Sequence, residues 1–405
     1  MGNNEGARVP DPVSMLYGSM EPNERFRARR DQARRRRRRR RATLVGLVLV
    51  GVIAFAAGWQ FRPARTHAST RHAAPIVKAT PSAAVAGAMP RPLPVEIRGI
   101  HVTGALASLP GKLAEYAALR GQGLNTIVLD IKDEGGVVSF APAGVRLAEA
   151  IGAVRRDYNP RSVARLLHAR GIYLIGRIVS FQDPFLARAH PELAVHRRDG
   201  SVWRTAAGLG WVDPYNRRVW AYDVGIAKAA ARAGFDEIMF DYVRFPSDGD
   251  VGGSVYPARS AEAPGRVISD FVAYAASQLR SLHVRVSTAV FGLSATRDLR
   301  IGQVPKWISR DVDTVSPMAY PALYGSGELG VAEPTAQPGE IVFRTLGDFH
   351  RQMKGSVAHL VPWIQDWGYD LDQVRAQIDA ARLQGAKGYL LWNAEGLYTP
   401  GALAP

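Results

Sequence analysis

From about residue 95 onward the chain repeats one unit: a stretch with helical apolar spacing, a glycine, then a short apolar run. Val219–Ala233 carries the helical pattern, Gly234 follows, and Ile238-Met239-Phe240 lead into Asp241. The stretches 113–130, 163–178 and 374–393 repeat the order of helix, glycine and strand. Glycine just past a helix end takes up the left-handed cap conformation without a Cβ penalty. The apolar runs are nearly continuous, as expected of strands covered on both faces. Eight are predicted, at 98–104, 126–133, 173–181, 237–246, 284–292, 314–320, 360–367 and 388–393. Eight strands alternating with helices over about 305 residues predict an α/β fold, a (β/α)8 TIM barrel, which typically needs about 250 residues and tolerates insertions. An open doubly wound sheet is the alternative, but no Gly-x-Gly-x-x-Gly follows the first strand. Only about a dozen residues follow the last predicted strand, too few for a full eighth helix.

The residues before the barrel follow a different pattern. Arg34–Arg41 is an unbroken arginine run, and Ala42–Trp59 follows without a charge. Eighteen helical residues rise about 27 Å, enough to cross the hydrocarbon core. The predicted organisation is a basic cytoplasmic tail at 1–41, one transmembrane helix at 42–61, an Ala/Pro-rich linker at 62–94 and the barrel at 95–400. A basic flank before the apolar span predicts a single-pass protein of the plasma (inner) membrane, with the N-terminus cytoplasmic and the barrel extracytoplasmic. A cleaved signal peptide is the competing reading. The length of the apolar core and the lack of a clean small-x-small site after it favour the anchor.

Charge changes the picture little once it is divided. The formal net charge is +16, of which residues 1–41 supply +8 and residues 62–92 supply +5, leaving +3 for the barrel. Membrane topology accounts for the arginine run, so nucleic acid is not an expected partner. The chain contains no cysteine, which excludes disulfides, thiolate catalysis and cysteine metal sites. No metal site and no cofactor is predicted.

Strand alternation assigns the candidate chemistry. In 126–133 Ile127, Leu129 and Ile131 share one face, while Val128, Asp130 and Lys132 share the other, which points inward. Met239, Asp241 and Val243 share the inward face of the fourth strand. On the third and fifth strands Arg177 and Arg285 also look inward, where charge balance for Asp130 and Asp241 explains them as well as binding does. In the last strand Asn393 marks the inner set, which Glu395 joins just past the strand end. Trp363, Gln365 and Trp367 share the inner parity of the seventh strand, so Asp366 faces away unless the strand end bulges. Long loops after the strands bring Trp203, Trp211, Tyr320 and Tyr324. Carboxylates ringed by aromatic faces suit a polyol, because indole stacks on a sugar ring while carboxylates take its hydroxyls. The predicted partner is therefore a carbohydrate, with His101, Lys132, Asp133, Tyr242 and Arg244 completing the lining.

Seven ordered blocks carry a family resemblance: RGIHVTG (98–104), TIVLDIKDEGGVVSF (126–140), DGSVWR (199–204), WVDPYN (211–216), FDEIMFDYVRFP (235–246), VSPMAYPALYG (315–325) and VPWIQDW (361–367). Together they resemble the glycoside hydrolase domain family of TIM barrels distantly related to α-amylase-like barrels. The resemblance implies hydrolysis of a glycosidic bond. It places Asp241 at the fourth strand tip, where related barrels keep a nucleophile or acid. The fifth strand, VRVSTAVFG, lacks the glutamate that the amylase pattern has there, so the acid comes from elsewhere. Glu395 is the first candidate, Asp130 the second and Asp366 the third. Retention or inversion depends on the carboxyl separation, which the sequence does not contain. Two alternatives remain open: a barrel that binds glycan without cleaving it, and a metal-dependent deacetylase drawing ligands from His101, Asp130, Asp133 and Asp241.

Overall fold

The computed structural model describes residues 91–405. The expected tail at 1–41, the span at 42–61 and the linker up to residue 90 lie outside the described residues. Among the described residues no helix is long and apolar enough to cross a membrane.

Nine strand segments make one parallel sheet: β1 (Ile97–Val102), β2 (Thr126–Lys132), β3 (Tyr173–Val179), β4 (Glu237–Asp241), β5 (Arg285–Phe291), β6 (Thr314–Met318), β7 (His359–Leu360), β8 (Trp363–Gln365) and β9 (Gly388–Trp392). Their order is β5-β4-β3-β2-β1-β9-β8-β6-β7, and β5 also pairs with β6, so the sheet closes on itself. β7 and β8 both lie along β6 and form two halves of one stave. The barrel thus has eight staves. The expected continuous strand at 360–367 breaks at Val361-Pro362, because proline brings no N–H to a ladder.

Helices cover the outside. Those that connect the staves are α1 (Lys112–Ala118), α2 (Pro160–His168), α3 (Arg217–Ala233), α4 (Pro264–Arg280), α5 (Pro305–Ile308), α6 (Pro338–Gln352) and α7 (Leu371–Leu383), with shorter helices in the loops. One follows each of the first seven staves. The longest helices show why the sequence folds this way. In α3 the Asn216 side chain accepts from Arg218 N, and Val219, Val224, Ile226 and Ala230 are buried against the barrel. Each of these valine and isoleucine side chains contributes about 1.5–3 kcal/mol by leaving water. Gly234 ends α3 at φ 104°, a conformation that costs other residues about 1–2 kcal/mol. No helix follows β9 among the described residues. Residues 398–403 close that seam instead: Tyr389 OH donates to Ala402 O at 2.9 Å, and Ala402 and Leu403 are buried.

The two faces of the wall are distinct. Ile97, Val128, Ile175, Met239, Ala289, Val361, Trp363 and Leu390 pack inside the barrel, while Ile127, Leu129, Ile131, Ile238 and Phe240 join the larger layer beneath the helices. At the amino-terminal end of the lumen Tyr173 OH donates to Glu237 at 3.1 Å. Burial pushes the Glu237 carboxyl up to about 7. Arg285 belongs to this floor, in register with Glu237 and with Nη1 donating to Arg91 O. The floor is the end of such barrels that serves stability.

Candidate active site

At the carboxyl-terminal mouth one guanidinium gathers three carboxylates. Arg177 points inward from β3 and is almost wholly buried. Its Nη1 donates to Asp130 Oδ1 at 2.8 Å, and its Nη2 reaches Glu134 Oε1 at 3.0 Å. Its Nε and Nη2 both meet Asp241 Oδ2, at 2.8 and 2.7 Å. The planar fork suits this sharing, and a lysine could not serve three partners in fixed directions. The buried partners hold the Arg177 pKa well above its ordinary value, against the opposing effect of burial. Asp241 Oδ1 accepts the Tyr242 backbone N–H at 2.7 Å. Tyr242 itself has φ 51°, so the chain turns in left-handed backbone directly after this carboxylate. Strained backbone of this kind recurs at functional sites.

His101 on β1 adds Nε2 to Asp130 Oδ1 at 2.8 Å. Its ring stacks on Trp392 at 4.1 Å and meets Trp363 edge-on at 6.2 Å. Arg177 lies 5.1 Å from the Trp392 ring, within cation–π range. Tyr320 lies buried near Asp241 and Arg177, and desolvation raises its hydroxyl well above the usual range. Its ring meets Trp367 at 5.2 Å. Gln365 holds the loop after β6 by accepting from Ala322 N at 2.9 Å. Arg244 is buried among Trp211, Tyr242 and Phe291, with ring distances of 4.8–5.0 Å. His101, Asp130, Asp241, Tyr242, Tyr320, Trp363 and Trp367 therefore converge on one mouth, while Gln365, Trp211 and Arg244 brace its rim.

Several expected residues stand elsewhere. The register of β2 against β3 shifts between Asp130 and Lys132. That shift turns Lys132 out of the lumen, where it pairs with Asp183 at 2.9 Å and Asp223 at 2.6 Å rather than with Asp130. In β9 the inner set is Leu390 and Trp392, opposite to the expected parity. Asn393 instead donates to Asp366 O, and Glu395 lies on an exposed loop with its N–H on Asn393 Oδ1. Asp366 is buried, accepts from Thr399 N at 3.0 Å, and is pushed up to about 6 by burial. Trp203 forms the core of the loop after β3, donating to Asp250 O at 2.7 Å. Tyr324 joins a separate cluster with Val331 and Ile341 and bonds Thr345. Asp133 shapes a turn by accepting from Gly135 N and Val137 N. The alternative metal set is committed to other contacts: Arg177 donates to both Asp130 and Asp241, and Asp133 accepts from its own turn. Among the described residues no group of three His, Asp or Glu is arranged to hold a metal ion.

Sequence reasoning missed Glu134, and it left Trp392 out of the lining. Glu134 follows the end of β2, where alternation no longer assigns a face. The one signal for it is a third acid, after Asp130 and Asp133, in a DEGG turn.

A family model described as "Putative glycosyl hydrolase domain" matches residues 99–398. None of the curated proteins matches the chain. Among solved structures, a hypothetical protein from Ruminiclostridium thermocellum is 37% identical, with 47% of this chain and 96% of that one covered and a TM-score of 0.43. The PgaB (BpsB) glycoside hydrolase domain from Bordetella bronchiseptica is 16% identical, with 74% and 94% covered and a TM-score of 0.54. The C-terminal domain of a "putative chitinase" from Desulfitobacterium hafniense is 12% identical, with 76% and 97% covered and a TM-score of 0.50. At those identities the last two show a shared fold. The family match runs from the first strand to past the last, and this chain belongs to the family of glycosyl hydrolase domains it describes.

Proposed function

We propose that the protein is a glycoside hydrolase acting on a poly- or oligosaccharide of the cell envelope, held at the membrane by residues 42–61 with its barrel outside. The observation that carries the reading is the gathering of Asp241, Asp130 and Glu134 on one guanidinium at the barrel mouth. Glycosidic bond cleavage needs two carboxyl groups facing one bond, and aromatic walls such as Trp392 and Tyr320 suit sugar rings. In this reading Asp241 attacks the anomeric carbon or activates water. Turnover by the full-length chain on a panel of polysaccharides, peptidoglycan included, tests it. Asp241→Asn keeps the shape and is expected to lower turnover by several orders of magnitude; undiminished activity would rule out this role. Carbonate-resistant retention in membranes supports the anchor, while release of a fragment starting near residue 65–75 favours a signal peptide.

One observation favours a second reading, a barrel that binds glycan without cleaving it. All three carboxylates are ion-paired with Arg177, an arrangement that also suits holding sugar hydroxyls. Tight glycan binding with no product from wild type would decide for it.

A further inference from the structure

We propose that Glu134, on the loop after β2, is the acid/base partner of Asp241, and that the pair hydrolyses its glycan with retention at the anomeric carbon. This rests on the hydrolase reading above. Glu134 Oε1 and Asp241 Oδ2 lie on the same nitrogen, Arg177 Nη2, at 3.0 and 2.7 Å. Oε1 and Oδ2 are therefore less than about 6 Å apart, a close approach of the kind that retaining pairs, at roughly 5–5.5 Å, require.

The other carboxyls are placed for other work. Asp130 Oδ1 takes both His101 Nε2 and Arg177 Nη1, and its backbone oxygen holds the Tyr158 hydroxyl at 2.8 Å. That bracing suits a residue that orients Arg177. Asp366 turns to Thr399 N. Glu395 lies on an exposed loop past β9.

The loop that presents Glu134 is built rather than loose. Gln182 donates to Glu134 O at 2.7 Å from a buried side chain. Asp133 ties the turn to Gly135 N and Val137 N. Gly136 has φ 75°, and a Cβ there would lie 2.6 Å from Asp183 Oδ1. Asp183 is in turn fixed by Lys132. The Gln182 and Asp133 bonds and the close approach of Gly136 to Asp183 thus hold the loop that carries Glu134, and preorganisation of this kind is what a proton donor needs.

The chemistry balances in two steps. The Asp241 carboxylate forms a bond to the anomeric carbon through Oδ1, whose second lone pair is not used by the Tyr242 N–H. The glycosidic C–O bond breaks, and the Glu134 proton passes to the leaving oxygen. Water then attacks the same carbon, gives a proton to the Glu134 carboxylate, and Asp241 leaves with its bonding electrons. The net change is addition of one water across the glycosidic bond.

The test uses full-length protein, the polysaccharide panel and a set of 2,4-dinitrophenyl glycosides, whose leaving group needs no proton. Glu134→Gln should lower kcat/KM on polysaccharide by at least about 100-fold, keep turnover of the cognate dinitrophenyl glycoside, and lose the alkaline limb of the pH profile. Azide should rescue Glu134→Ala with a glycosyl azide of retained configuration, and Asp241→Ala with an inverted one. A Glu134→Gln enzyme with wild-type activity overturns the assignment while leaving the hydrolase intact. So does equal loss on both substrate types, which marks a positioning residue, or an inverted product from wild type. Absence of any wild-type turnover on all these substrates ends the hydrolase reading and the pair together.

Discussion

Lys132 Nζ and Asp183 Oδ2 lie 2.9 Å apart on the helix side of the barrel wall, both side chains fully buried. Asp223 of α3 completes the group at 2.6 Å, and the Tyr222 ring lies 5.2 Å from the ammonium. One cation thus answers two carboxyls. Burial pushes Asp223 up to about 7, with Lys132 working in the opposite direction. The Lys132–Asp223 contact is thus opposed by the burial of the Asp223 carboxyl.

Lys132→Met is expected to destabilise the fold by about 3–5 kcal/mol, since it strands buried carboxylates. Asp223→Asn should cost clearly less than Asp183→Asn at pH 7. Asp183 also caps the helix Pro184–Ala189 by accepting from Leu186 N at 2.9 Å. Chemical denaturation midpoints of the three variants check the order, and equal costs for the two Asn variants would refute it.

Asp366 gives a pH dependence of definite sign. Its carboxyl is raised to about 6 in the folded chain by burial, against about 3.9 when unfolded. The folded state therefore binds the proton more tightly. The stabilisation from protonated Asp366 is complete below about pH 4 and is lost as pH rises through about 6. Asp366→Asn carries no such dependence. The stability of wild type relative to this variant should fall by on the order of 2 kcal/mol between pH 4 and 7. Urea midpoints across that range measure it, and a flat difference would count against the shift.

Removing the hub should be costlier than removing any one of its partners. Arg177→Met leaves Asp130, Glu134 and Asp241 as neighbouring buried carboxyls, whose pKa values must then rise. A loss of about 3–5 kcal/mol is expected at pH 7, shrinking on acidification as the carboxyls protonate. Arg177→Lys should restore only part of it, because an ammonium cannot reproduce the fork. Denaturation of both variants at pH 5 and 7.5 is the check. A loss that is the same at both values would mean that charge repulsion is not its cause.

Much of this was legible in the residues. Periodicity with glycine stops located every stave, and strand alternation correctly turned Asp130, Arg177 and Asp241 inward. It failed where the ladder stopped being regular. The register shift before Lys132 reversed a face that alternation had assigned, and Pro362 split the seventh stave in two. Just past β9 the polar Asn393 suggests a lumen face by its polarity, whereas it is Trp392 that faces His101 and Arg177. A barrel mouth walled by indole does not announce its inner face by polarity. Glu134 stayed hidden for a simpler reason: loop residues have no period, and only the fold brings them to a partner.

Tyr242 sets two demands against each other. Its left-handed backbone, at φ 51°, would be relaxed by about 1–2 kcal/mol if the residue were glycine. Its ring, 5.0 Å from the Arg244 guanidinium and 6.1 Å from Trp211, is part of the mouth beside Asp241. Selection for heat resistance alone would pull this position towards glycine, and selection for the shape of the mouth would pull it back.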